Sequence, residues 1–113
     1  MDKELAHNLS IKSCNVYAAG AHAMPQPEIE KLLTGLQHWQ QQDREICKTI
    51  HFANYYETMA FVNATAWISH REDHHPELEV GYKQCRIRYS THSVGGLSEN
   101  DFICAAKIDC LLG

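Results

Sequence analysis

Apolar positions first recur at helical steps at Ile29, Leu32, Leu33 and Leu36, behind Pro25, Pro27 and Glu28, with Gly35 near the end. Proline and acid ahead of such a stripe suit a helix N-terminus, so a short helix is expected to start near Pro25. Residues 1–24 mix brief apolar runs with Asn8, Ser10, Ser13, Asn15 and Gly20 and hold no sustained period, which predicts a flexible or irregular arm. Trp39–Arg44 and Glu45–Phe52 read as two strands. In the second, Ile46, Lys48, Ile50 and Phe52 alternate with Cys47, Thr49 and His51.

From Asn54 to about Glu72 neither glycine nor proline occurs, and Tyr55, Met59, Val62, Ala66 and Ser69 fall on one face at steps of three or four, with Tyr56 and Trp67 nearby. That is a long helix, bounded by Pro76, since the residue before a proline is pushed out of the helical region. Leu78, Val80 and Tyr82 share one parity whereas Cys85, Ile87 and Tyr89 share the other, so a strand here needs a bulge near Lys83 and Gln84. After Gly95 and Gly96, Ser98 and Asp101 have capping-box spacing, and Leu97 and Phe102 stand as a hydrophobic staple. A last helix then runs to about Leu112 with Phe102, Ala105, Ala106 and Cys110 inward. The order α-β-β-α-β-α predicts an α+β fold, an antiparallel sheet with helices packed on one face, as a single domain over residues 25–113.

Composition narrows the function. The 113 residues are 44% apolar and 21% charged with a formal charge of -4, and no basic stripe is present, which disfavours nucleic-acid partners. The most apolar stretch, Met59–Ser69, is broken by Asn63 and Thr65 and is short of the roughly 20 residues a bilayer span needs. Met1–Ser10 lacks a basic-then-apolar leader, so the cytoplasm is expected. Five cysteines with no C-x-x-C pair read as reduced thiols acting as small apolar fillers.

Chemistry concentrates in His70-Arg71-Glu72-Asp73-His74-His75-Pro76, three imidazoles and two carboxylates where a helix ends. Imidazoles titrate near neutrality, so one can donate a proton while another accepts one. Glu72 and Asp73 are candidates to fix a tautomer or stabilise an imidazolium. Two other readings stand beside this: a solvated helix end, or a metal held by His70, His74 and His92. Asp101 caps a helix, orients a histidine, or does both. Tyr82 and Tyr89 stack on a flat ligand or sit in the core; Trp39 and Trp67 read as packing.

The run Glu72-Asp73-His74-His75-Pro76-Glu77, Tyr82, Ser90-Thr91-His92 and Gly96-Leu97-Ser98-Glu99-Asn100-Asp101 resembles the signature of the pterin-4a-carbinolamine dehydratase family, and the likeness runs from about Pro25 to Leu112. One departure is His70, where that family often has Glu. The resemblance implies dehydration of a 4a-hydroxytetrahydropterin to quinonoid dihydropterin, without cofactor or metal, in recycling for an aromatic amino acid hydroxylase. It implies a pterin pocket shaped by Asp73, His74, His75, Ser90, Thr91, His92 and Ser93, with His74, His75 and His92 catalytic and His70 and Asp101 behind them. It also implies a homodimer or homotetramer. Some members act as dimerisation cofactors for a transcription factor, which makes an interaction protein the alternative.

Overall fold

The computed structural model describes residues 1–18 and 20–113. Its elements are α1 (Lys3–Ile11), α2 (Gln26–Leu33), β1 (Gln40–Gln42), β2 (Glu45–His51), α3 (Tyr55–Glu72), β3 (Glu77–Val80), β4 (Gln84–Tyr89), a 3-10 turn (His92–Val94) and α4 (Glu99–Leu112). The strands form one antiparallel sheet in the order β1-β2-β4-β3. The α+β class and the succession of helix, strands, helix, strands and helix are those the pattern predicts.

Strand register sorts the side chains. Ile46, Lys48 and Ile50 of β2 stand opposite Tyr89, Ile87 and Cys85 of β4, and Leu78 and Val80 of β3 stand opposite Ile87 and Cys85. These share one face of the sheet, because paired residues point the same way. The core on that face joins Ile46, Ile50, Cys85, Ile87 and Tyr89 to Phe61 of α3 and to Phe102, Ile103 and Ile108 of α4. The other face carries Thr49, His51, Arg86, Arg88, Glu77 and Glu79, and Arg88 pairs with Glu79 at 3.3 Å. Lys48 is the cation on the apolar face. Its ammonium lies 2.8 Å from an Asp109 carboxylate oxygen that also accepts the Trp39 Nε1–H, and the other oxygen accepts the Gln37 N–H. A buried charge is tolerated when paired and hydrogen-bonded in this way.

Four local expectations are corrected. The arm is not irregular throughout: residues 3–11 form α1, capped by Asp2, whose side chain accepts the Leu5 N–H, and Leu9 joins the main core at 1% exposure. Nine residues with one buried leucine are too few to show a period, and tertiary contact supplies what propensity lacks. The bulged strand is a hairpin: the chain reverses over Gly81–Lys83, Gly81 N–H donates to the Gln84 carbonyl at 2.8 Å, and the parity restarts in β4. In α3 the buried face is Thr58, Phe61 and Thr65, not the stripe through Tyr55 and Ala66. Both threonines bury cheaply because each hydroxyl donates to a backbone carbonyl, Thr58 sharing its one proton between Asn54 and Tyr82, Thr65 giving its own to Val62. Cys110 is exposed, since α4 turns Ile108 and Asp109 inward instead.

Candidate active site

Two loops leave the sheet at one end. Glu77, the first residue of β3, pairs with Arg88 near the end of β4, so the segment before Glu77 and the segment after Tyr89 emerge side by side. The first begins where α3 stops. Asp73 takes the left-handed conformation (φ 50°, ψ 42°), and the amides of Asp73 and His74 both donate to the Ser69 carbonyl. This tight C-cap turns the chain so that His74 leaves the helix axis. The second loop is pinned by Thr91, whose N–H donates to Gly96 at 2.7 Å across the 3-10 turn, with Gly95 left-handed at its end.

Asp101, fully buried at the start of α4, ties these loops together. One oxygen lies 2.6 Å from His74 Nε2; the other accepts the Thr91 hydroxyl at 2.8 Å and the Ser98 N–H at 3.0 Å. The bond polarity follows by elimination. Thr91 spends its one hydroxyl proton on Asp101, so in the 2.6 Å contact between Thr91 Oγ1 and Ser98 Oγ the serine donates, while Ser98 Oγ accepts the Asn100 N–H. A carboxylate already accepting two bonds on one oxygen leaves acceptor capacity on the other, so His74 donates from Nε2 and keeps Nδ1 free. The Ser98–Asp101 capping box and the histidine support are one network.

Beneath His74 lies Tyr89, ring on ring at 5.8 Å and 11°. Its hydroxyl is buried without a hydrogen-bond partner. Burial first, then the sulfurs of Cys104 and Cys14 and the Asp101 carboxylate, push that phenol well above its usual range, so Tyr89 is a neutral platform.

The other predicted residues fall into two groups. Asp73, His75, Ser90, His92 and Ser93 are exposed around the two loops, and their side chains make no hydrogen bond among the described residues. His70, expected behind the site with Asp101, is exposed and packs on Trp67 at 5.8 Å between ring centroids; no hydrogen bond joins it to His74. Thr91 faces Asp101 rather than the surface. Glu72 and Asp73 do not hold an imidazole: Glu72 accepts the Cys14 N–H at 2.8 Å and Asp73 is the helix cap. Tyr82 lies in the hairpin turn at the far end of β3 and β4, beside Tyr55. Among the described residues no group of three or more His, Cys, Asp or Glu is gathered as a metal site. No helix among them is long and apolar enough to cross a membrane. The contributions of Ser98 and Tyr89 went unread in the sequence beyond a cap and a stacking or core ring.

The family described as Pterin 4 alpha carbinolamine dehydratase matches residues 22–111. A Nitrosomonas eutropha protein is 56% identical over 106 residues, covering 93% of this chain and 94% of that one. A Bdellovibrio bacteriovorus protein is 58% identical over 95 residues, covering 80% and 79%. Both carry the name "Putative pterin-4-alpha-carbinolamine dehydratase". Among solved structures, a transcriptional coactivator/pterin dehydratase from Brucella melitensis superposes with a TM-score of 0.78 at 26% identity, covering 81% of this chain and all of that one. A pterin dehydratase-like protein described as a RuBisCO assembly factor in the alpha-carboxysome superposes at 0.56, also at 26% identity, over 69% of this chain and 96% of that one. With most of its length matched and relatives above half identity, the chain belongs to the pterin 4 alpha carbinolamine dehydratase family.

Proposed function

We propose that this protein dehydrates a 4a-hydroxytetrahydropterin to the quinonoid dihydropterin, using His74 and His92 as the proton-transfer pair and His75 to hold the pterin and share the base role. The observation that carries this reading is the bond from His74 to the buried Asp101, which fixes the tautomer and aim of one imidazole in a family named for this reaction. The reaction asks for two proton movements. A proton must reach the oxygen leaving C4a, and the N5 proton must be removed as the C4a–N5 double bond forms. His74, holding its Nε2 proton against Asp101, exchanges the other through Nδ1. Asp73, Ser90 and Ser93, exposed on the same two loops, supply polar contacts to the heterocycle; Asp101 and Thr91 are positioning residues, acting through His74. No cofactor is called for by two proton transfers.

The test is dehydration of a synthetic 4a-carbinolamine by His74→Ala, His75→Ala and His92→Ala. A positioned acid or base contributes about 10²- to 10⁴-fold, so His74→Ala and His92→Ala should each lose on the order of 10²-fold or more in kcat/KM. Unchanged rates in both would end the enzymatic reading. The second reading is an interaction protein of the dimerisation-cofactor or coactivator type, favoured by the Brucella melitensis neighbour described as a transcriptional coactivator/pterin dehydratase. It has no use for a locked imidazole. Recycling for an aromatic amino acid hydroxylase, a cytoplasmic setting and a homodimer or homotetramer belong to the same proposal. Assembly is supported by the exposed aromatics Tyr55, Tyr56, Trp67 and Tyr82.

A further inference from the structure

Behind the site, the stretch after α1 lies along α4 and is gripped on both sides of one cysteine. Asn100 exchanges two hydrogen bonds with the Asn15 backbone at 2.7 and 2.9 Å, Lys107 donates to the carbonyl of Ser10 in the last turn of α1 at 2.8 Å, and the Cys14 N–H donates to Glu72. Asn100, Cys104 and Lys107 follow one another at steps of four and three, so they share the face of α4 that meets this stretch. The grip brings Cys14 Sγ to 3.6 Å from Cys104 Sγ, although the two residues are 90 apart in sequence. Cys104 is fully buried; Cys14 is partly buried. No other two cysteine sulfurs among the described residues lie within hydrogen-bonding distance.

We infer that Cys14 and Cys104 are a reversible dithiol–disulfide site that a hydroperoxide closes, fastening the stretch after α1 to α4. A disulfide needs sulfurs about 2.05 Å apart, so roughly 1.5 Å of approach is required, a distance of the order that side-chain rotation covers. Cys14, the less buried of the two, attacks the peroxide oxygen and becomes a sulfenic acid, releasing an alcohol, or water from hydrogen peroxide. Cys104 sulfur then attacks the Cys14 sulfur; the S–S bond forms, the S–O bond breaks, and hydroxide leaves with the Cys104 proton as water. Hydrogen bonding to Cys14, then burial, hold the Cys104 thiol above its ordinary range, so it stays protonated at neutral pH and is not the sulfur that meets the peroxide first.

The experiment uses the full chain carrying Cys110→Ser, which removes the exposed competing thiol, treated with hydrogen peroxide and mapped by non-reducing peptide mass spectrometry. The expected result is loss of two thiols per chain, one intramolecular Cys14–Cys104 link, a thermal midpoint raised by several degrees, and full reversal by dithiothreitol. Adding Cys104→Ser should instead leave a Cys14 sulfenic acid that dimedone traps. Retention of all thiols, links only between chains, or Cys14 driven to sulfinic acid while Cys104 stays free would each overturn the inference. All readouts are thiol chemistry and stability, so they are independent of whether the histidines dehydrate a pterin.

Discussion

Asp101 shows how a single buried carboxylate is kept useful: it touches His74, Thr91 and the Ser98 amide, and none of its acceptor capacity faces water. Thr91 is the partner whose removal separates positioning from binding. Thr91→Val keeps the shape but strips Asp101 of one donor and leaves the Ser98 hydroxyl without its acceptor. We expect about 1–3 kcal/mol lower stability in urea titration. kcat should fall about tenfold with little change in KM, because a misaimed imidazole still binds substrate. Thr91→Ser should restore most of both; an unaltered kcat in the valine variant would show that Thr91 does not aim His74. The capping box was legible from Ser98 and Asp101 alone, because its partners are three residues apart. The bond to His74 was not, since it crosses 27 residues and depends on where the α3 cap aims the chain. Neighbours such as Glu72 looked closer only along the sequence; on a helix, adjacent side chains point in different directions.

Among the elements, α1 tests how tertiary contact decides local structure. Gly35, just after α2, lies so close to α1 that an added Cβ would meet Leu5 Cγ at 2.8 Å and the Ala6 amide nitrogen at 3.3 Å. Gly35→Ala should therefore push α1 outward and cost about 1–3 kcal/mol. Faster proteolysis of residues 3–11 should accompany the loss, and equal stability with unaltered cleavage would contradict this packing. The longer elements were readable because each gave at least two turns or several alternations. What could not be read was where one element became two: β3 and β4 present opposite parities that a bulge and a hairpin both explain. Gly81, which supports the turn, differs from a bulge glycine only through the Val80–Cys85 pairing. The buried face of α3 escapes the apolar periodicity for another reason. Threonines count as polar in a periodicity, yet Thr58 and Thr65 satisfy themselves on backbone carbonyls and pack inward.

At the scale of the molecule, the core holds several acids in their neutral form. Burial raises the Cys85 thiol; burial first raises the Tyr89 phenol; the contact with Cys14 and then burial raise Cys104. In the unfolded chain the thiols ionise near pH 9.0 and the phenol near 10.0, while the native state keeps those protons. The folded form thus binds more protons above about pH 9, and its stability is full below that point and lost as pH rises. Each group contributes up to about 1.4 kcal/mol per pH unit once its unfolded form has ionised. Urea midpoints should fall steadily from about pH 9 to pH 11, and Tyr89→Phe should flatten the upper part of that decline. A midpoint indifferent to alkali would mean these groups are solvated in the native state. The double duty of Asp101 carries a last consequence. The first turn of α4 cannot fray without releasing the imidazole at 74, so a catalytic setting and a helix end melt as one unit. Amide hydrogen exchange at Ser98 and Asp101 would then report, residue by residue, the fraction of molecules whose histidine is still correctly held, and warming should silence turnover before the sheet itself lets go.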